Sequence, residues 1–86
     1  MIKSKIRVLL VEDSQFCQMY LRQIIESDDC LAIAGIADSG SRALELIPEA
    51  APDIIALDLG LPDRQDFGLL EEIVRRWSIP VVVISG

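Results

Sequence analysis

The sequence predicts an α/β fold, a doubly wound parallel sheet with helices on both faces. Two observations carry this. Four short apolar runs alternate with three segments whose apolar residues recur at helical spacing, giving the order βαβαβαβ. The runs are also apolar on both faces, as strands covered by helices on each side should be. Short connections and right-handed crossovers reduce the possible topologies to a doubly wound sheet.

The first strand is IRVLLV, Ile6 to Val11, β-branched and apolar, and it stops at the acidic pair Glu12-Asp13. Ser14 is a helix N-cap candidate. From Phe16 onward, Phe16, Tyr20 and Ile24 alongside Cys17, Leu21 and Ile25 repeat at i and i+4, which reads as one wide apolar stripe on a helix of about three turns. That helix should end near Ser27-Asp28-Asp29, residue types that favour caps and turns.

LAIAGI, Leu31 to Ile36, is the second strand, and Gly40 opens a second helix with Ala43, Leu44 and Ile47 on one face. Pro48 lacks an amide donor and crowds the carbonyl of Leu44, so this helix should bend or finish near it. PDIIALD is the third strand. DFGLLEEIVRRW is the third helix, with Phe67, Leu70, Ile73, Val74 and Trp77 inward, and IPVVVIS is the fourth strand.

Eighty-six residues allow one domain at most, with a thin margin of stability. Fourteen acidic against eight basic residues argue against a nucleic-acid surface, because phosphate backbones need clustered Lys and Arg. A cation or a basic partner is the better expectation. The longest apolar runs have strand length, far short of the ~20 residues of a membrane span, and the N-terminus runs straight into acidic residues with no signal-peptide cleavage site. The expected location is the cytoplasm. Cys17 and Cys30, with no CxxC and no histidine in the chain, make zinc improbable and read as small buried thiols in a reducing compartment.

In a doubly wound sheet, ligands bind beyond the carboxyl ends of the strands, where strand order reverses. The first strand ends at Glu12 and Asp13, the third at Asp58 and the fourth at Ser85. If the first and third strands are neighbours, three carboxylates converge. Two unit charges about 4 Å apart repel by roughly 4 kcal/mol at an effective dielectric near 20. Either one acid stays protonated, or a hard divalent cation bridges them; Mg²⁺ suits such an oxygen set.

Each acid has a bland reading as well. A single Asp after a strand is usually a turn former or a cap, and a Ser at a strand end normally caps a turn; only convergence of Asp13 and Asp58 at the ligand-binding edge favours function. Asp28, Asp29 and Asp38 read as solvated loop residues. Other chemistries lack their residues: there is no GxxxxGK loop, no histidine for a hydrolase triad, and Gly60 stands where a DxDx[TV] hydrolase carries its second Asp.

VLLVEDS with its acidic pair, PDIIALDLGLP with an acid ending the strand and a proline four residues on, and PVVVISG with a hydroxyl ending the fourth strand jointly resemble the receiver domain of two-component response regulators. The resemblance runs from about Ile6 to Gly86. It implies a flavodoxin-like fold and a phosphoaspartate switch rather than an enzyme. Asp58 would accept a phosphoryl group from a sensor histidine kinase or phosphotransfer protein. Asp13, Asp58 and the backbone carbonyl of Gly60 would bind Mg²⁺ directly, Glu12 would reach it through water, and Ser85 would take the switch position. The output domain is unknown.

The sequence departs from the family pattern in three places. Glu12 stands where Asp is more frequent, a substitution its longer arm tolerates. After Pro62, Asp63, Gln65 and Asp66 occupy a loop that in the family carries glycine and then an Asp-Gly turn. A receiver also continues through a fourth helix, a fifth strand bearing a phosphoryl-pairing lysine, and a fifth helix; neither Lys3 nor Lys5 matches that lysine. Residues 1–86 therefore read as an incomplete, amino-terminal portion of a receiver, with switching impaired. VVVIS would then be an exposed edge prone to homodimerisation or strand exchange. A rival expectation is a pseudo-receiver, an interaction module that works without phosphorylation.

Overall fold

The computed structural model describes residues 4–64 and 67–85. Lys3, Gln65, Asp66 and Gly86 lie outside the described residues, as does the side chain of Ser85. The described chain forms β1 (Ile6–Val11), α1 (Gln15–Glu26), β2 (Leu31–Ala37), α2 (Gly40–Ala50), β3 (Ile54–Asp58), α3 (Gly68–Arg76) and β4 (Val81–Ser85). The strands are all parallel, in the order β2-β1-β3-β4. Strand order reverses between β1 and β3, which pair from Val8↔Ile54 to Val11↔Leu57.

Alternate side chains of the central strands feed two cores. Leu9, Val11, Ile55 and Leu57 pack with Ala43 and Ile47 of α2 and with Leu69 and Ile73 of α3. Val8, Leu10 and Ala56 face the other way, toward Leu21 and Ile25 of α1. Burial on both faces explains the unbroken apolar runs of β1 and β3.

Ser14 caps α1, its hydroxyl accepting from the Cys17 amide at 3.3 Å. The helix ends at Ser27, where the sequence places its stop. The wide stripe on α1 is corrected. Leu21 and Ile25 pack against the sheet, while Phe16 is 79% exposed and Met19, Tyr20 and Ile24 are exposed as well. At roughly 100° per residue, Phe16 and Ile25 stand about 180° apart, wider than one sheet face can cover. Cys17 and Cys30 are exposed thiols, which corrects their reading as buried.

Helix α2 runs through Pro48 to Ala50 and closes on Ala51, whose backbone adopts φ 46° and ψ 59°. It finishes close to the proline, as expected. The left-handed conformation costs a non-glycine residue about 1–2 kcal/mol. Offsetting this, the Arg7 guanidinium donates to the Ala50 carbonyl at 2.6 Å and the Ala51 carbonyl at 3.0 Å. In α3 the inward set is also corrected: Leu69 and Ile73 are buried and Leu70 and Trp77 partly so, whereas Phe67 and Val74 are exposed. The Arg76 guanidinium lies 4.5 Å from the Trp77 ring centroid, a cation–π placement.

Candidate functional site: an acidic cleft at the carboxyl edge of the sheet

Three carboxylates meet where β1 and β3 end. One oxygen from each of Glu12, Asp13 and Asp58 lies within 4.8 Å of the other two. Pairing of β1 with β3 delivers this, because Val11↔Leu57 brings the following Glu12 and the following Asp58 to the same edge. Glu12 and Asp58 are buried; Asp13 is exposed at the mouth.

Hydrogen bonds hold the two buried acids, Glu12 and Asp58. The Glu12 amide donates to the Ala37 carbonyl at 2.9 Å, tying the acid pair to the end of β2. The Glu12 carboxylate accepts from the Ser14 amide at 3.0 Å, and its backbone carbonyl accepts from Gln18 Nε2. The Gly60 amide donates to Asp58 Oδ1 at 2.8 Å, so the residue two beyond Asp58 turns back over its carboxylate.

The electrostatics are strained in the way the spacing implies. Burial pushes the Glu12 carboxyl above its usual range; the Ser14 amide opposes this, while the Asp58 charge and hydrogen bonds with Asp13 and Asp58 add to it. Burial and the neighbouring carboxylates both disfavour its charged form.

The donor set fits Mg²⁺. All three side chains offer hard oxygen, and an octahedron with bonds of about 2.0–2.1 Å places its ligand oxygens about 3 to 4 Å apart. Oxygens separated by up to 4.8 Å match that spacing with a small contraction, or with one acid reaching the ion through water.

Asp58 and Ser85 are partners in the β3–β4 register, so the backbone of Ser85 stands beside the acid cluster. The switch assignment of its hydroxyl concerns a side chain outside the described residues. Lys5 is exposed in the lead-in to β1; Lys3 is outside the described residues.

Asp63, read from the sequence only as a departure, makes three hydrogen bonds to the start of α2. Its carboxylate accepts from the Gly40 amide at 2.8 Å, the Ser41 amide at 3.0 Å and the Ser41 hydroxyl at 3.1 Å. The Gly40 and Ser41 amides foremost hold its carboxyl below the usual range. No local signal marks this contact, since the partners lie 23 and 22 residues apart in the chain. Next to it, Arg64 pairs with Glu72 at 2.8 Å, and Glu72 also binds Arg76 at 3.0 Å.

The fold and the cleft define an α/β domain that gathers acids at the switch point of its sheet. The response regulator receiver domain model matches residues 8–86, and the chain belongs to that family. It is 38% identical over 81 residues to a protein-glutamate methylesterase/protein-glutamine glutaminase of Methanospirillum hungatei, a match covering 94% of this chain and 23% of that protein. A protein of the same name from Myxococcus xanthus is 40% identical over 86 residues, covering 99% of this chain and 25% of its own length. The chain thus spans about a quarter of the relatives it matches. The crystal structure of the response regulator domain of Thermotoga maritima CheB superposes with a TM-score of 0.87 at 34% identity, covering 94% of this chain and 60% of that one. Among the described residues, no helix is long and apolar enough to cross a membrane.

Proposed function

We infer that Asp58 is a phosphoacceptor, modified in a Mg²⁺-dependent reaction by a phosphohistidine on a sensor kinase or phosphotransfer protein. The observation that carries this reading is the convergence of the Glu12, Asp13 and Asp58 oxygens within 4.8 Å at the edge where β1 and β3 end. Asp13, Asp58 and the Gly60 carbonyl would hold the ion directly, and Glu12 through water. When bound, Mg²⁺ neutralises charge on the equatorial phosphoryl oxygens.

The chain's residues supply alignment. The Gly60 amide orients the Asp58 carboxylate, one oxygen of which attacks phosphorus in line as the P–N bond to the imidazole breaks. The bonding pair leaves with the imidazole nitrogen, which takes a proton from solvent. The product is an acyl phosphate on Asp58. Added negative charge in a cleft that already crowds three acids favours rearrangement of the surrounding loops, with Ser85 as the hydroxyl that turns toward the new phosphoryl oxygens.

Residues 1–86 are proposed as the amino-terminal portion of a receiver in a cytoplasmic regulator. The methylesterase relatives support an output of that enzyme class, which the receiver would control without being an enzyme itself.

The test is intact mass after incubation with acetyl phosphate, with and without Mg²⁺, for the wild type and for Asp58→Asn. One added phosphoryl group that needs both Mg²⁺ and Asp58 is the expected result. A folded chain that stays unmodified in Mg²⁺ while still binding its partner would make the pseudo-receiver the better account, a reading favoured by the unusual Asp63 loop.

A further inference from the structure

We propose that Asp63 is a positioning residue: by capping the amino end of α2 it closes a ring of bonds around the acidic cleft and holds the Gly60 segment in place over Asp58. The inference rests on the phosphoacceptor reading of Asp58.

The ring can be traced bond by bond. From Asp58 the chain passes through Gly60, whose amide returns to Asp58 Oδ1 at 2.8 Å, to Leu61, which is fully buried in the core beneath α2 and α3. Two residues later Asp63 crosses to α2 and takes the Gly40 and Ser41 amides. Ser39 and Asp38 then lead back to Ala37, whose carbonyl accepts the Glu12 amide at 2.9 Å. Glu12 lies against Asp58 in the carboxylate cluster. Asp63 is the side-chain link in that ring between the segment after β3 and the segment after β2.

Two further features show that this crossing is built closely. A Cβ on Gly40 would stand 2.4 Å from Arg64 Cγ, so the glycine admits the Asp63-Arg64 segment against the helix start. Arg64 in turn is fixed on its far side by Glu72 of α3. The segment after Asp58 is therefore anchored to α2 by Asp63, to α3 by Arg64 and to the core by Leu61. The hydrogen bonds of the Asp63 carboxylate go to Gly40 and Ser41 of α2, so its effect on Asp58 would be transmitted through the Gly60 segment. Small displacements matter here, because in-line phosphoryl transfer depends on alignment.

The experiment compares wild type, Asp63→Ala, Asp63→Asn and Ser41→Ala in this 86-residue chain. Phosphorylation by acetyl phosphate in saturating Mg²⁺ is followed by intact mass across donor concentrations, and the folded fraction is measured by far-UV circular dichroism. Asp63→Ala should lower the rate at saturating donor on the order of tenfold, leaving the half-saturating donor concentration unchanged. Asp63→Asn should recover most of the rate, because its amide oxygen still accepts the Gly40 N–H. Ser41→Ala, which keeps both amide bonds, should fall between. Equal rates for folded wild type and folded Asp63→Ala, or losses that only follow the folded fraction, overturn the positioning role. A wild type that gains no phosphoryl group overturns the phosphoacceptor reading itself, a result distinct from any difference among the variants.

Discussion

Arg7, on the first strand, caps the carboxyl end of the second helix: its guanidinium reaches the Ala50 carbonyl at 2.6 Å, 43 residues away in sequence. With Asp63 at the opposite end, α2 carries an anion at its amino terminus and a cation at its carboxyl terminus, as its macrodipole favours. Arg7→Ala should cost about 1 kcal/mol in urea unfolding. Arg7→Lys should retain the charge but, with a differently shaped and more strongly hydrated head, recover only part. A change within error for Arg7→Ala would show that water replaces the guanidinium without cost.

Ligand linkage gives a test of the acidic cleft that needs no phosphorylation. If Mg²⁺ binds the folded chain alone, about 100 times its Kd adds about 2.7 kcal/mol of stability, which in a domain this small raises Tm by on the order of 10 °C. Asp13→Asn and Asp58→Asn should be more stable than wild type without Mg²⁺, because each removes a repelling charge, and should gain less from adding it. Thermal melts with and without Mg²⁺ check both halves. Variants that match wild type in both conditions would mean that the cluster holds no ion.

The Asp63 carboxyl sits below its ordinary value of 3.8 because the α2 amides donate to its charged form. A depressed carboxyl contributes stability that is present above the unfolded value and lost as pH falls through the folded one. Glu72, depressed by Arg64 and then Arg76, acts with the same sign. Glu12, which is raised, acts with the opposite sign and at higher pH. Urea midpoints should therefore fall more steeply for wild type than for Asp63→Asn below about pH 4, with the two curves parallel nearer neutrality. Parallel curves throughout would show that the helix cap is not formed in solution.

Two residues of α3 discriminate its true inward face. Leu69 is 1% exposed and Val74 is 61% exposed. Leu69→Ala should cost about 2–5 kcal/mol, enough to unfold much of so small a chain, while Val74→Ala should stay within about 0.5 kcal/mol. Denaturant unfolding settles the comparison, and a Val74 cost as large as that of Leu69 would restore the face read from the sequence.

The order of strands and helices, the two-sided burial of β1 and β3, the Ser14 cap and the acids at the strand ends follow from residues close together in sequence. Propensity, periodicity and caps act over a few residues, so these features are legible without coordinates. Which part of an apolar stripe is covered is a different matter. Phe16 and Leu21 belong to one helix, yet only Leu21 meets the sheet, because a flat sheet face covers a limited arc and its position depends on where the helix is laid. The exposed thiol of Cys17 and the burial of Leu69 follow from such placements.

Only the tertiary structure decided that the carboxylates of Glu12, Asp13 and Asp58 meet, since that requires β1 beside β3. Only it supplied the Asp63 and Arg7 contacts across more than twenty and more than forty residues. A charged side chain carries no local mark of its distant partner; the backbone amides of Gly40 and the carbonyl of Ala50 become partners once the sheet has set the helix ends within reach.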